Sequence, residues 1–356
     1  MRRIVLTLVI IAAFVPMTGN LFAQSEATAI FLMVSPGARA GGMGEANVAV
    51  ANDAYATYWN PAGLATIKGK EFSGLHAQWL PGLNLGDMYY DFASYVQHFE
   101  GIGTIGISGT YINYGEQVRT DETGPEVIST FSSFEMAIGL SYGTMLSENL
   151  AVGSTAKYIY SRLAPFSAGE QQGAGIGSSV AVDLGFIWTP AFSRRTSFGV
   201  NLQNLGPKIT YIDAAQADPL PTNLKFGFAF KALESEFNKL TFTVDFNKLL
   251  VVKTTDDEGN TKSDPFYKAV FSSWTDGGFS NQIKRTNVGG GAEYWYSNIF
   301  SLRAGYFYES VGKRKFATFG AGLRFSLYQF DFGYISGDTG HPLTDTMRFS
   351  LSFKFD

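Results

Sequence analysis

The chain has 356 residues and a formal net charge of −4, and its Lys and Arg residues are scattered singly, which argues against a nucleic-acid partner. Mean hydropathy is near zero, unlike that of a helical membrane protein, and the absence of Cys excludes thiol chemistry. Aromatic residues make up 15 % of the chain and charged residues only 16 %. A membrane β-barrel produces this balance, because its lipid-facing apolar residues and lumen-facing polar residues alternate.

The first 23 residues are typical of a secretory signal peptide. Arg2 and Arg3 supply the charged start, the run 4–15 is apolar, and a cleavage site follows Ala23. At about a dozen residues the apolar run is too short to cross a membrane as a helix. We therefore expect residues 1–23 to be removed rather than to serve as an anchor.

Residues 24–69 differ from everything after them, because they are rich in Ala and Gly and show no period-two alternation. We expect this stretch to form a hatch, or plug, in the lumen of a barrel. Residues 46–56 are small enough to form a short helix there. Asn60 precedes Pro61 and should leave the helical region, so the chain should turn there into the first strand.

From Lys70 onward the chain consists of short alternating runs, and we predict fourteen strands. An even number is the rule for single-chain bacterial barrels. The predicted fold is therefore an all-β, 14-stranded antiparallel transmembrane barrel over residues 70–356. The predicted strands are 70–80, 86–99, 102–114, 131–146, 149–163, 176–190, 194–206, 221–232, 238–253, 283–297, 299–309, 314–328, 329–335 and 346–355.

Charged residues in these strands fall on the polar face. A charge on the lipid face at mid-depth would cost about 2–4 kcal/mol, so we expect them to line the lumen. Arg39 and Asp53 of the hatch should find opposite charges on this wall. The wall could pair its own charges and hold the plug, or it could form a selective ion path. The expected lumen charges are Glu135, Asp183, Asp245, Glu293, Arg303, Arg324 and Arg348, together with Lys225 and Lys354.

Short and long links alternate along the chain, as periplasmic turns and external loops do. This pattern places both termini in the periplasm. The longest link, 254–282, contains a predicted helix that starts at Asp264-Pro265 and ends at 276–278. Its apolar residues could form a lid over the barrel mouth, dock a partner or enter the outer lipid surface. They are Phe266, Val270, Phe271 and Trp274.

Motifs for catalysis or cofactor binding are scarce. His76, His98 and His341 are isolated and show no metal-ligand spacing, so we expect no metal. Gly101-x-Gly103-x-x-Gly106 fits a dinucleotide pattern only formally, because it opens a strand rather than a helix. We therefore expect no cofactor and no enzymatic activity.

The runs 38–44, 48–54 and 58–65 resemble the N-terminal signature of the PorV/PorQ family, which belongs to the FadL-like group of outer-membrane barrels. The resemblance implies a FadL-like barrel with an N-terminal hatch. It also implies partners in the type IX secretion system, namely the translocon and its cargo proteins. The signature residues of the hatch are Arg39, Gly41, Gly42, Gly44, Asp53, Trp59, Asn60, Pro61 and Gly63.

We expect outer-membrane lipid to surround the barrel. Three functions remain open for such a protein. The first is a non-enzymatic type IX secretion component that binds or shuttles cargo or partner proteins. The second is FadL-like uptake of a hydrophobic small molecule. The third is a structural barrel or general porin.

Overall fold

The computed structural model describes residues 27–83, 86–120, 124–165, 174–211, 217–255, 261–276, 278–338 and 341–355. The expected signal peptide and its cleavage site lie outside these residues, as do residues 24–26 of the expected hatch. None of the helices in the described ranges is long and apolar enough to cross a membrane.

Fourteen strands close into one antiparallel barrel, which confirms the predicted fold. Each barrel strand pairs with its neighbours along the chain, and β1 pairs with β16 to close the ring. Strands β10 and β11 form a separate two-stranded sheet between β9 and β12. The strands are β1 (Lys70–Gln78), β2 (Tyr89–Phe99), β3 (Gly103–Thr120), β4 (Val127–Ser147), β5 (Leu150–Ala164), β6 (Gly175–Trp188), β7 (Thr196–Leu205), β8 (Asn223–Glu234), β9 (Asn238–Leu249), β10 (Lys253–Thr255), β11 (Thr261–Ser263), β12 (Thr286–Tyr296), β13 (Phe300–Glu309), β14 (Arg314–Phe325), β15 (Tyr328–Gly337) and β16 (Met347–Phe355).

Alternation decides which side chains face outward. In β9, Phe242 and Phe246 are more than 40 % exposed, whereas Thr243 and Asp245 between them are buried. The same alternation continues in β16, where Phe349 and its apolar neighbours at every second position are exposed. The outer wall is therefore an apolar, largely aromatic surface, and the polar residues of the strands point inward.

The two ends of the barrel differ in their links. At one end, which we call the short-turn end, β1 begins and β16 ends. The strands are joined there by the links 100–102, 148–149, 189–195, 235–237, 297–299 and 326–327. The opposite, long-link end carries the links 206–222 and 250–285, although its link 310–313 is short.

The hairpin formed by β3 and β4 is longer than predicted. The strands run to Thr120 and from Val127, so the expected link 115–130 shrinks to 121–126. A bulge between Asn113 and Glu116 shifts the register, and most of the hairpin beyond it is exposed on both faces. Alternation disappears where neither face is buried, so the pattern could not reveal this part.

The link after β9 also differs from the prediction. Strand β9 ends at Leu249 rather than 253, and β12 begins only at Thr286. The predicted helix begins at Phe266, close to its expected start, but ends at Ser272 rather than at 276–278, and a second short helix, Phe279–Lys284, follows it. Pro265 stands at the cap of the first, where its missing N–H costs nothing.

Residues 27–68, which we call the N-terminal segment, contain short helical turns. They are the 3₁₀ helices Ile30–Met33 and Pro61–Thr66 and the α-helical turns Ala38–Gly41 and Ala56–Trp59; a further 3₁₀ turn, Pro81–Leu83, follows β1. The helix expected over 46–56 is wrong, because only Ala56 of that stretch is helical and the rest forms turns and irregular backbone. Asn60 is extended as expected (φ −169°), but a 3₁₀ helix rather than the first strand follows it.

Candidate functional site: the N-terminal segment and the barrel wall

One half of the N-terminal segment packs against strands β12 to β16. Backbone N–H groups of Ala38 and Gly44 donate to the hydroxyls of Ser350 and Thr318, each at 2.8 Å. Gly44 has a left-handed backbone (φ 67°), which a residue with a Cβ adopts at a cost. The first half of the segment is thus tied to inward-facing side chains of β14 and β16.

The other half packs against β6 and β7 through Asn60. Its carboxamide nitrogen donates to the backbone oxygens of Phe186 and Val200 at 3.1 and 3.3 Å, and to Val48 within the segment at 3.1 Å. Its oxygen accepts from the N–H of Ala62, which caps the 3₁₀ helix opened by Pro61. One buried side chain therefore joins two strands to two parts of the segment.

Trp59 and Tyr58 present their backbone to the wall as well. Their carbonyl oxygens accept from the side chains of Asn201 (2.9 Å) and Gln203 (2.6 Å) of β7. The ammonium of Lys225 lies 4.5 Å from the Trp59 ring centre and 4.7 Å from that of Tyr58. A buried cation is stabilised in this position by the faces of the two rings.

Glycines in the strands provide the room for the segment. A Cβ at Gly153, Gly185 or Gly291 would overlap Pro61, Asn60 or Met43 respectively. We call these three wall positions, Gly153, Gly185 and Gly291, the glycine track. Within the segment, Gly42 packs against the backbone of Gly320, a Cβ at Gly41 would press on Arg348, and a Cβ at Gly63 would overlap the carbonyl of Ala51.

An ion network joins the segment to β12, β13 and β15. The Nε and Nη2 atoms of Arg39 each lie 2.9 Å from a carboxylate oxygen of Glu293, and Nη1 lies 3.1 Å from Asp53. Glu293 also accepts from Arg303, its cross-strand neighbour, at 2.9 Å. Arg303 in turn contacts Asp331 at 2.7 Å. These charges are mostly buried, so each depends on its partners.

The remaining lumen charges form further contacts. Asp245 accepts the N–H groups of Asn47 and Val48 at 2.7 and 2.9 Å. Arg348 pairs with Glu45 of the segment at 2.9 Å. Other pairs join wall residues only: Lys157 with Asp183 (2.7 Å), Lys354 with Glu71 (3.1 Å), Tyr114 with Glu135 (2.5 Å) and Arg324 with Gln329 (2.7 Å).

Several partners in these contacts were absent from the predicted sites, namely Glu45, Glu71, Lys157 and Asp331. Lys157, Glu71 and Asp331 share the inward parity of their strands, so alternation alone could have identified them. Glu45 lies in the segment, where no periodicity exists to place it.

The four apolar residues of the long link do not share one environment. Phe266 borders the outer wall of the barrel, Val270 is half-buried and Phe271 is 78 % exposed. Trp274 lies beyond the end of the helix, with Lys248 over its ring at 5.1 Å.

Phe266 belongs to an apolar cavity of about 580 Å³ in the outer wall. Strand β7 ends at Leu205 while β6 begins as early as Gly175, so the first part of β6 has no β7 partner. The cavity lies at this discontinuity. Its other apolar lining residues include Ile138, Leu140, Tyr158, Val180 and Val182, all of them outward-facing and exposed.

The three histidines lie apart from one another. His76 contacts Asp91 at 2.7 Å on the outer wall, His98 contacts Thr104 at 3.0 Å, and His341 stacks edgewise on Phe316. Among the described residues, no group of three or more His, Asp or Glu side chains has the geometry of a metal site.

The closed barrel with an apolar outer wall defines an outer-membrane β-barrel protein. Residues 23–256, more than half of the chain, match the family model described as type IX secretion system protein PorV. The chain belongs to this family, which confirms the resemblance identified in the signature. A comparison with curated proteins finds no match.

Two solved structures with a similar fold are toluene transporters. TbuX of Ralstonia pickettii has 16 % sequence identity and a TM-score of 0.56, and TodX of Pseudomonas putida has 13 % identity and a TM-score of 0.53. Each similarity covers 90 % of this chain and 99 % of the other. At these identities the likeness concerns the fold alone. None of these descriptions names an enzyme, so the comparisons indicate no enzyme family.

Proposed function

We propose that this barrel is a non-enzymatic component of type IX secretion that binds or shuttles cargo or partner proteins at the outer membrane. In this proposal the N-terminal segment is a hatch that keeps the lumen closed. The match of residues 23–256 to the PorV family model carries the secretion role. The attachment of the segment to β14 and β16 on one side and to β6 and β7 on the other supports the hatch. A barrel closed in this way interacts with proteins through its ends rather than through a pore.

We place the long-link end outside the cell and both termini in the periplasm, as the link lengths favour. The partner surface is then the link 250–285, with its two short helices and its separate sheet. Tyr267, Phe271 and Ile283 are each at least 60 % exposed there. Exposed aromatic and aliphatic side chains are typical of protein-binding surfaces.

The test removes residues 254–282 and closes the gap with a short Gly-Ser linker. Co-purification of translocon subunits and cargo from the native outer membrane is then measured, with heat-shifted gel mobility as the check of barrel assembly. A matched control shortens the hairpin tip 121–126 at the same end. Loss of partners in the first variant only would support the proposal, whereas normal capture without 254–282 would contradict it.

A second candidate is uptake of a hydrophobic small molecule, and the cavity at the end of β7 favours it. The cavity is apolar, opens on the lipid side and has a volume in the range of ligand pockets. Mass spectrometry of gently extracted protein tests this function. A hydrophobic adduct that disappears in Val180→Trp, which fills the cavity, would favour uptake; the absence of any adduct from the native protein would count against it.

A further inference from the structure

A second cavity, of about 460 Å³, opens at the short-turn end of the barrel. Its floor is the stretch 49–53 of the N-terminal segment, and its walls are the ends of several strands and the link 189–195. The volume lies within the range of small-molecule binding sites. We call it the basic vestibule.

The lining of the basic vestibule is strongly positive although the chain as a whole is acidic. Seven basic side chains line it, against three acidic ones. The acidic ones are Asp53, Glu234 and Glu293, and the basic ones are Arg39, Arg194, Arg195, Lys231, Lys239, Arg324 and Lys354.

The acidic side chains are already engaged. Asp53 and Glu293 bind Arg39, and Glu234 pairs with Lys231 at 3.1 Å. Lys354 has its own partner in Glu71. The local carboxylates therefore do not neutralise the rest of the lining.

Four cations remain without a carboxylate partner within 4 Å among the described residues: Arg194, Arg195, Lys239 and Arg324. The guanidinium of Arg324 lies 4.5 Å from the Trp295 ring centre and binds the Gln329 side chain, and neither of these partners carries a negative charge. Hydroxyl and amide groups, among them those of Thr196, Thr241, Asn52 and Asn298, also line the cavity. Guanidinium and ammonium groups beside such donors match phosphate and carboxylate oxygens.

We propose that the basic vestibule binds a small, soluble, multiply charged anion that carries phosphate or carboxylate groups. Most of the strand residues that line it have inward parity, as Lys354 in the β16 series Arg348, Ser350, Ser352 and Lys354 illustrates; Thr196 and Leu233, at the rim, have outward parity. The cavity consequently opens to water at the barrel end and not sideways to the lipid headgroups. The proposal is independent of the secretion role.

The test is isothermal titration calorimetry of the detergent-purified full chain with tripolyphosphate and, separately, with citrate. We expect saturable binding that weakens as salt is added, because the contacts are between charges. The triple variant Arg194→Ala/Arg195→Ala/Lys239→Ala should bind at least about tenfold more weakly, since each lost charged contact contributes on that scale. These three side chains are exposed or half-buried, and heat-shifted mobility checks that the barrel still forms.

A matched triple variant at the opposite end, Lys262→Ala/Lys268→Ala/Lys315→Ala, changes the net charge equally and should bind normally. Equal weakening in both triple variants, or no saturable binding to the native protein, would overturn the proposal. The phosphate group could belong to a soluble ligand or to a lipid headgroup, and native mass spectrometry distinguishes these two sources. Phosphatidylglycerol that is retained by the native protein and lost in the first triple variant would assign the site to lipid headgroups and overturn the soluble ligand.

Discussion

Arg39 and Glu293 meet at two points, with both guanidinium-to-carboxylate distances at 2.9 Å, although 254 positions separate them in the chain. Arg39 belongs to the N-terminal segment and Glu293 to β12. The pair is a direct link between the segment and the wall, and Asp53, Arg303 and Asp331 extend it.

Removing the charge of Glu293 tests this link. Glu293→Gln leaves the buried Arg39 and Arg303 without their shared carboxylate, and breaking such a pair costs about 3–5 kcal/mol. The free energy of unfolding in urea, measured in detergent, should fall by that amount. The comparison is Glu234→Gln in the exposed pair with Lys231, where the cost should stay below about 1 kcal/mol. Equal effects would mean that the buried network contributes no more than a surface contact.

Asn60 should be as sensitive as the charged pair. Asn60→Asp keeps the shape but removes the donor, so a carboxylate would face the carbonyl oxygens of Val48, Phe186 and Val200. An unsatisfied buried group costs about 1–3 kcal/mol, and more when it is charged. Protease accessibility of the segment and the urea midpoint measure the effect. A stable, protected Asn60→Asp protein would show that these hydrogen bonds do not hold the segment.

The segment should determine whether the barrel conducts ions. We expect no steady conductance of the intact protein in planar bilayers, and large steady currents after deletion of residues 27–66. The reason is that an interior of fourteen strands is wider than its own side chains can fill. Steady currents through the intact barrel would instead identify a general porin.

Depth in the membrane should control the cost of a charge on the outer wall. Leu351 is outward-facing near the middle of β16, and Leu351→Arg should cost about 2–4 kcal/mol and lower the barrel yield. Tyr296, the last residue of β12, is also exposed, and Tyr296→Arg should cost only about 0–1 kcal/mol near the interface. Equal yields for the two variants would mean that β16 does not face lipid at Leu351.

Alternation was sufficient to predict fourteen strands, because each strand has one apolar and one polar face. It failed for the outer part of the β3–β4 hairpin, where both faces are largely exposed. It also could not pair Arg39 with Glu293, because that contact depends on how fourteen strands are staggered around the ring. The helix expected over 46–56 failed for a tertiary reason: Asp245 binds the N–H groups of Asn47 and Val48, which fixes a turn there.

The glycine track limits what the interior of this barrel can hold. The wall at Gly153, Gly185 and Gly291 lies so close to the N-terminal segment that even one added methyl group would overlap it. A second polypeptide could not lie beside the segment at these positions. If the segment is the hatch proposed above, a translocated chain could pass these glycines only after the segment has moved away from them.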